Sequence, residues 1–178
     1  MQAIRRLSTR TVYENRWMSV REDEVQRPDG SVGAYGVVDK PDFALIIPAE
    51  RGGFHLVEQY RYAVEARSWE FPQGTLPDRR SGDPAELARV ELAEETGLRA
   101  ESLEHLGYLY QGPGHSSQGM NVFLATGLAP GPVQREPEEQ DMRQRWVSRE
   151  ELEEMIAGGV MRDSSSVAAY ALLLLRRR

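Results

Sequence analysis

The stretch "RVELAEETGL", residues 89–98, brings Glu91, Glu94 and Glu95 close together. On a helix, residues i, i+3 and i+4 share a face, so the three carboxylates fall within an arc of roughly 100°. Glu91 and Glu95 are the closest pair, about 40° apart and one turn removed. Glutamate is a good helix former and like charges at this spacing repel only weakly in water, so a solvated stripe is one reading. The other is a cation site. Ligands that are all oxygen suit Mg2+ or Mn2+, and Mg2+ takes one or two carboxylates, keeps waters and bridges to substrate phosphates. The context favours the cation. Ala88 and Leu92 can press the helix onto a sheet, and a loop with Gly74, Gly82 and Pro84 can fold back over the acids. The acidic run "REPEEQD" (135–141) offers further oxygens. A divalent cation in turn implies a phosphorylated substrate.

These acids need elements to position them. The helix is predicted over about 84–96, with Asp83 as N-cap, Pro84 at the first position, Glu86 three residues after the cap and Gly97 as the stop. Upstream, "WMSVREDEVQ" (17–26) and "VGAYGVVD" (32–39) read as strands joined by the turn Pro28-Asp29-Gly30. "FALIIPAE" (43–50) and "FHLVEQYRY" (54–62) form a second strand pair, and 69–84 is a loop rich in Gly and Pro. Strands at 103–111, 120–128 and 142–147 follow, then helices at 149–157, capped by Ser148, and 164–177. Interleaved strands and helices predict an α/β domain with a mixed sheet.

The chain has 178 residues and a net charge of −6, which argues against a nucleic-acid surface but allows a small anion drawn in by local arginines or a cation. No apolar run approaches the ~20 residues of a membrane span, and no secretion signal is read at the N-terminus. There is no cysteine, hence no disulfide and no thiolate metal site. The expected location is the cytoplasm.

"GTLPDRRSGDPAELARVELAEETGL" (74–98) resembles the Nudix box, G-x5-E-x7-R-E-U-x-E-E-x-G-U with U a bulky aliphatic. Glu91, Leu92, Glu94, Glu95, Gly97 and Leu98 fall at the family spacings. The first half departs. The box's first Glu falls on Gly82, its leading Gly matches Gly74 only with two extra loop residues, and its Arg falls on Val90 with Arg89 one place early. Asp78 or Asp83 is the candidate to stand in for the lost Glu. Beyond the box, "QYR" before "WEFPQG", the loop "GPGHSSQ" (112–118) and the ending "MIAGGVMRDSSSVAAYALLLL" are similar to ADP-ribose and nucleotide-sugar pyrophosphatases, with Gln118 where Glu is common.

The resemblance implies a Nudix fold, an α/β/α sandwich with a mixed sheet, over 41–178. It also implies an N-terminal antiparallel β-sheet over 1–40 that builds a homodimer. The implied reaction is metal-dependent attack of water on a nucleoside diphosphate linked to a sugar or ribose, with Mg2+ or Mn2+ as cofactor. Glu91 and Glu95 are the implied ligands, then Glu94 and the backbone carbonyl of Gln73, whose side chain need not matter. The general base is expected at Glu139, then Glu138, with Asp141 a further acid of that loop. Arg61 would grip the diphosphate, and Glu70 would orient Arg61 or bind a sugar hydroxyl. Trp17, Tyr13 or Arg27 could meet the nucleobase, and Ser117 or Ser116 the substrate. Trp69 and Trp146 are expected in the core and His55 in a structural role. Alternatives are a nucleotide-binding homologue that senses without cleaving, or a hydrolase of another nucleotide. An isopentenyl-type isomerase is disfavoured because its catalytic Cys is missing.

Overall fold

Six consecutive buried residues, Phe43 to Pro48, make strand β4 (Phe43–Glu50) the centre of a mixed sheet in the computed structural model. Residues 3–76, 82–132 and 141–176 are described. The chain divides into two units. The first comprises Met1–Asp42, Thr75–Ser81 and Tyr110–Gly119, and the second Phe43–Gly74, Gly82–Leu109 and Met120–Arg178.

The first unit holds an antiparallel sheet ordered β1 (Arg5–Glu14), β2 (Ser19–Gln26), β3 (Val32–Asp39). Arg27 to Ser31 closes the β2–β3 turn, with Asp29 accepting from the Ser31 amide at 2.9 Å. Central β2 turns Asp23 and Val25 to a buried face, two residues apart as strand pleating requires. All ten residues of β1 are exposed. This strand is an addition to the sequence reading, because "RRLSTRTVYE" carries no inward–outward alternation.

The sheet of the second unit runs β10 (Arg143–Ser148), β5 (Gly53–Arg61), β4, β9 (Gly119–Pro130), β8 (Leu98–Tyr110). β4 pairs parallel with β9 and antiparallel with β5, so the sheet is mixed. Two short strands, β6 (Ala66–Glu70) and β7 (Gln73–Gly74), join β5 and β4. They correct the expectation of a loop from residue 69: Leu45 pairs with Gln73 and Ala44 with Gly74.

Helices cover both faces. Phe43, Leu45 and Ile47 share a core cluster with Leu152 and Met155 of α2 (Arg149–Ala157) and Tyr170 and Leu173 of α3 (Ser164–Arg176). Ala44 and Ile46 point the other way, and α1 (Pro84–Thr96) packs against β4 and β7. The result is an α/β/α sandwich. The core expectation fails for Trp146, which is 38% exposed. On β10 only one of two neighbours can face inward, and Val147 takes that place. The Trp146 indole donates instead to the Glu50 carbonyl at 3.2 Å. Trp69 packs, partly buried, against the core.

Candidate active site

α1 begins where Asp83 accepts from the Ala85 amide at 2.9 Å and ends at Gly97, whose φ of 70° is the left-handed conformation glycine adopts without strain. Its buried residues are Leu87, Ala88, Glu91, Leu92, Glu95 and Thr96. Glu91 and Glu95 therefore lie on the packed stripe with Ala88 and Leu92, not on a solvated face, and they are only 8% and 1% exposed. Glu94 is half-buried at the edge of that stripe, and Val90 faces solvent. Taking carboxylates out of water is costly unless donors or cations meet them. The Gln73 amide supplies one donor, to Glu95 Oε2 at 3.2 Å.

Gly74 explains how Glu91 fits. A Cβ on Gly74 would stand 2.4 Å from the Glu91 carboxyl carbon and 2.4 Å from each of its oxygens. The carboxylate is seated in space that only glycine leaves, directly after Gln73. Among the described residues no group of three or more His, Asp or Glu is placed to hold a metal. Glu91 and Glu95 are two buried carboxylates one helical turn apart, both beside the Gln73–Gly74 backbone. That donor set fits Mg2+ or Mn2+, which complete their coordination with water and substrate oxygens.

β5 and β6 bring Arg61 and Glu70 together. Arg61 Nε donates to Glu70 Oε1 at 2.9 Å, and its Nη2 also contacts Glu70 Oε2. Glu70 is 1% exposed, whereas the Arg61 side chain is 43% exposed. Burial pulls the guanidinium pKa down, but the Glu70 hydrogen bonds and the charges of Glu70, Asp163 and Glu95 outweigh it and hold Arg61 above the usual arginine range. Arg61 is thus a fixed cation, with Nη1 meeting no protein acceptor among the described residues. The Gln73 side chain also takes part: Nε2 donates to Glu70 Oε2 at 2.9 Å and to Asp163 Oδ2 at 3.2 Å. Sequence reading missed Asp163. Its place before "SSS" at a helix start signals a cap, but its contact with Gln73, 90 residues away, has no local signal.

The remaining candidates separate. Glu138, Glu139 and Asp78 lie outside the described residues. Asp141 pairs with Arg67 Nη1 at 2.6 Å, and Asp83 serves the helix cap. Arg89 donates to the Ala100 carbonyl at 3.2 Å. His55 lies between Glu50 Oε1 at 2.8 Å and Gln144 at 3.0 Å, in keeping with a structural role.

Trp17, Tyr13, Arg27, Ser116 and Ser117 belong to the first unit. Arg16 lies over the Trp17 ring at 4.5 Å, and a Cβ on Gly33 would come within 2.8 Å of the Arg27 guanidinium. The Ser117 amide donates to the Val38 carbonyl at 3.1 Å, leaving its exposed hydroxyl at the loop surface. Gln118 is buried and donates through Nε2 to the Pro41 carbonyl at 2.8 Å. An ionised Glu cannot make that bond, which gives the Gln a structural reason at a position where Glu is common.

The mixed sheet thus carries two buried acids on one helix, with an ion-paired and half-exposed arginine in the field of Glu95. Comparison with known proteins identifies the family. The NUDIX domain matches residues 39–170, and residues 4–38 match the nucleoside diphosphate sugar hydrolase N-terminal domain. An ADP-ribose pyrophosphatase of Mycobacterium tuberculosis is 32% identical over 91% of this chain and 79% of its own length. A CMP-5'-(N-acetyl-N-hydroxy-3-aminopropyl)phosphonate hydrolase of Streptomyces rubellomurinus is 29% identical over 92% of this chain and 78% of its own. Among solved structures, an ADP compounds hydrolase superposes with a TM-score of 0.83 at 23% identity, covering 99% of this chain and 94% of that one. The chain belongs to the Nudix family. It is a hydrolase of nucleoside diphosphates linked to a second moiety.

Proposed function

We propose that this protein cleaves the diphosphate of ADP-ribose or a nucleotide sugar with Mg2+ or Mn2+, giving a nucleoside monophosphate and a sugar phosphate. The observation that carries the reading is the seating of Glu91 against Gly74 beside Glu95, both buried on α1. These two residues would hold the ion, with the Gln73 carbonyl next to them and Glu94 at the rim. When bound, the ion neutralises the diphosphate and lowers the pKa of the attacking water.

The protein's own groups do the rest. Arg61, anchored by Glu70, directs its remaining N–H groups at the diphosphate oxygens. Glu139, or else Glu138, accepts the proton of the attacking water. The water oxygen bonds to one phosphorus, and the bridging oxygen leaves with the other phosphate. Arg27 and Trp17 meet the nucleobase, and the Ser117 hydroxyl meets the substrate. In this reading residues 41–178 form the catalytic domain, residues 1–40 form a sheet that joins two copies, and the protein works in the cytoplasm.

The 32% identical relative points to ADP-ribose, while the cytidylyl compound of the other keeps the base open. The test is a panel of ADP-, UDP-, GDP- and CDP-linked sugars incubated with Mg2+ or Mn2+, with phosphate measured after phosphatase coupling. ADP-ribose or one nucleotide sugar is expected to release a nucleoside monophosphate only with metal. Glu95→Gln, whose amide oxygen still accepts from Gln73, should lose about 100-fold in turnover while remaining folded. Equal rates for parent and variant would refute the assignment.

A further inference from the structure

The segment Glu70 to Gly74 contributes Glu70, Gln73 and Gly74 to the candidate site, and the first turn of α3 holds it. Phe71 N–H donates to Ser166 Oγ at 2.8 Å, in the interior. Ser166 Oγ–H donates to Asp163 Oδ2 at 2.7 Å, and Ser166 N–H reaches the same oxygen at 2.8 Å. Gln73 Nε2 adds a third donor at 3.2 Å. Gln73 spends its other amide proton on Glu70 Oε2, and Glu70 carries Arg61. A continuous chain of hydrogen bonds therefore runs from the start of α3 to the guanidinium.

We propose that Asp163 is a positioning residue, acting through the Gln73 side chain to fix the Glu70 carboxylate and so aim Arg61 at the diphosphate. The inference rests on the reading of Arg61 given above. The charge of Asp163 also acts on Arg61 directly, and Asp163→Asn removes that charge while keeping an acceptor oxygen. Ser166 ties Asp163 to the backbone amide of Phe71, and Gln73 uses its main chain for Glu95, so among the described residues it is the Gln73 side chain that joins Asp163 to the Glu70 carboxylate. Without Asp163, the Gln73 amide loses one of its two acceptors and can swing. Glu70 then keeps Arg61 but is no longer held from behind.

The test has two arms. In the protein without substrate, exchange of the Arg61 Nε proton is followed by NMR. It is expected to be slow in the parent and about tenfold faster in Asp163→Ala and in Gln73→Met, with the double variant no faster than either, since coupled residues are not additive. Asp163→Asn keeps an acceptor oxygen and should restore slow exchange. Unchanged exchange in a folded Asp163→Ala, or additive effects in the double variant, would overturn the inference. Should Asp163→Ala fail to fold, Gln73→Met leaves the α3 turn intact and carries the same decision.

The second arm is steady-state hydrolysis of ADP-ribose. Asp163→Ala should raise KM about tenfold with kcat within a few-fold, the pattern of a lost grip on bound substrate, and Asp163→Asn should restore KM. A loss confined to kcat refutes the aiming role. If the parent hydrolyses nothing in the panel, the proposed function fails and the NMR arm alone decides this inference.

Discussion

At Gly74 a missing side chain defines the site. A methyl group there would overlap the Glu91 carboxylate, which is flanked by β7 and α1 and can yield only by rotating out of its seat. Gly74→Ala should therefore weaken Mn2+ binding and turnover by about 10–100-fold, the range seen when groups behind a metal ligand are disturbed. Calorimetry with Mn2+ and a rate assay check this; parent-like values in both would mean that Glu91 holds no ion. The carboxylate pair itself was legible in the sequence, because helical spacing places Glu91 and Glu95 on one face and that face also holds Leu92. What lies behind them was not. The Gln73 side chain and Asp163 meet across 90 residues, and a contact at that separation leaves no periodic trace in the sequence. Trp146 misled for a related reason: size suggests burial, but the pleat decides, and Val147 had the inward position.

At the scale of elements, the α2–α3 contact makes a prediction about pH. Burial, then hydrogen bonding to the Glu153 carboxylate at 2.5 Å, raises the Tyr170 phenol from its usual 10 to about 12, with Arg149 opposing. A raised value means that the folded chain favours the neutral phenol. As pH rises, the unfolded chain gives up this proton first, so the contribution is whole below about pH 10 and is lost between 10 and 12. Tyr170→Phe should be less stable than the parent at pH 8, and the gap should narrow as pH rises from 10 to 12. Denaturant midpoints at several pH values measure it, and a constant gap would show that this hydroxyl is not the titrating group. Elements with local signals were readable in advance. Asp83-Pro84 and Gly97 marked both ends of α1, and the apolar run of β4 marked a strand. β7 was unreadable because its two residues become a strand only by pairing with Ala44 and Leu45.

At the scale of the whole molecule, β1 raises the question of what covers it. It is an edge strand of ten exposed residues, and Leu7, Val12 and Tyr13 are among them. Ile4, Trp17, Val32 and Tyr35 of the same unit are exposed as well. A long bare edge with apolar side chains templates uncontrolled pairing, so proteins cover or charge such edges. A stable protein–protein interface buries about 800 Å² on each side, and these exposed apolar residues are candidates for its apolar part. β1 escaped sequence reading because its residues show no inward–outward alternation, and all ten are exposed. A second copy is the occupant that our functional reading supplies. The parent should then sediment as a dimer, and Leu7→Asp with Val12→Asp should bring it to the 20.1 kDa of one chain. These substitutions are far in sequence from Glu91 and Glu95 and leave the second unit's core untouched, so its fold should survive by circular dichroism. Sedimentation of the parent as a single chain, or of the double variant as an undiminished dimer, would remove β1 from the interface.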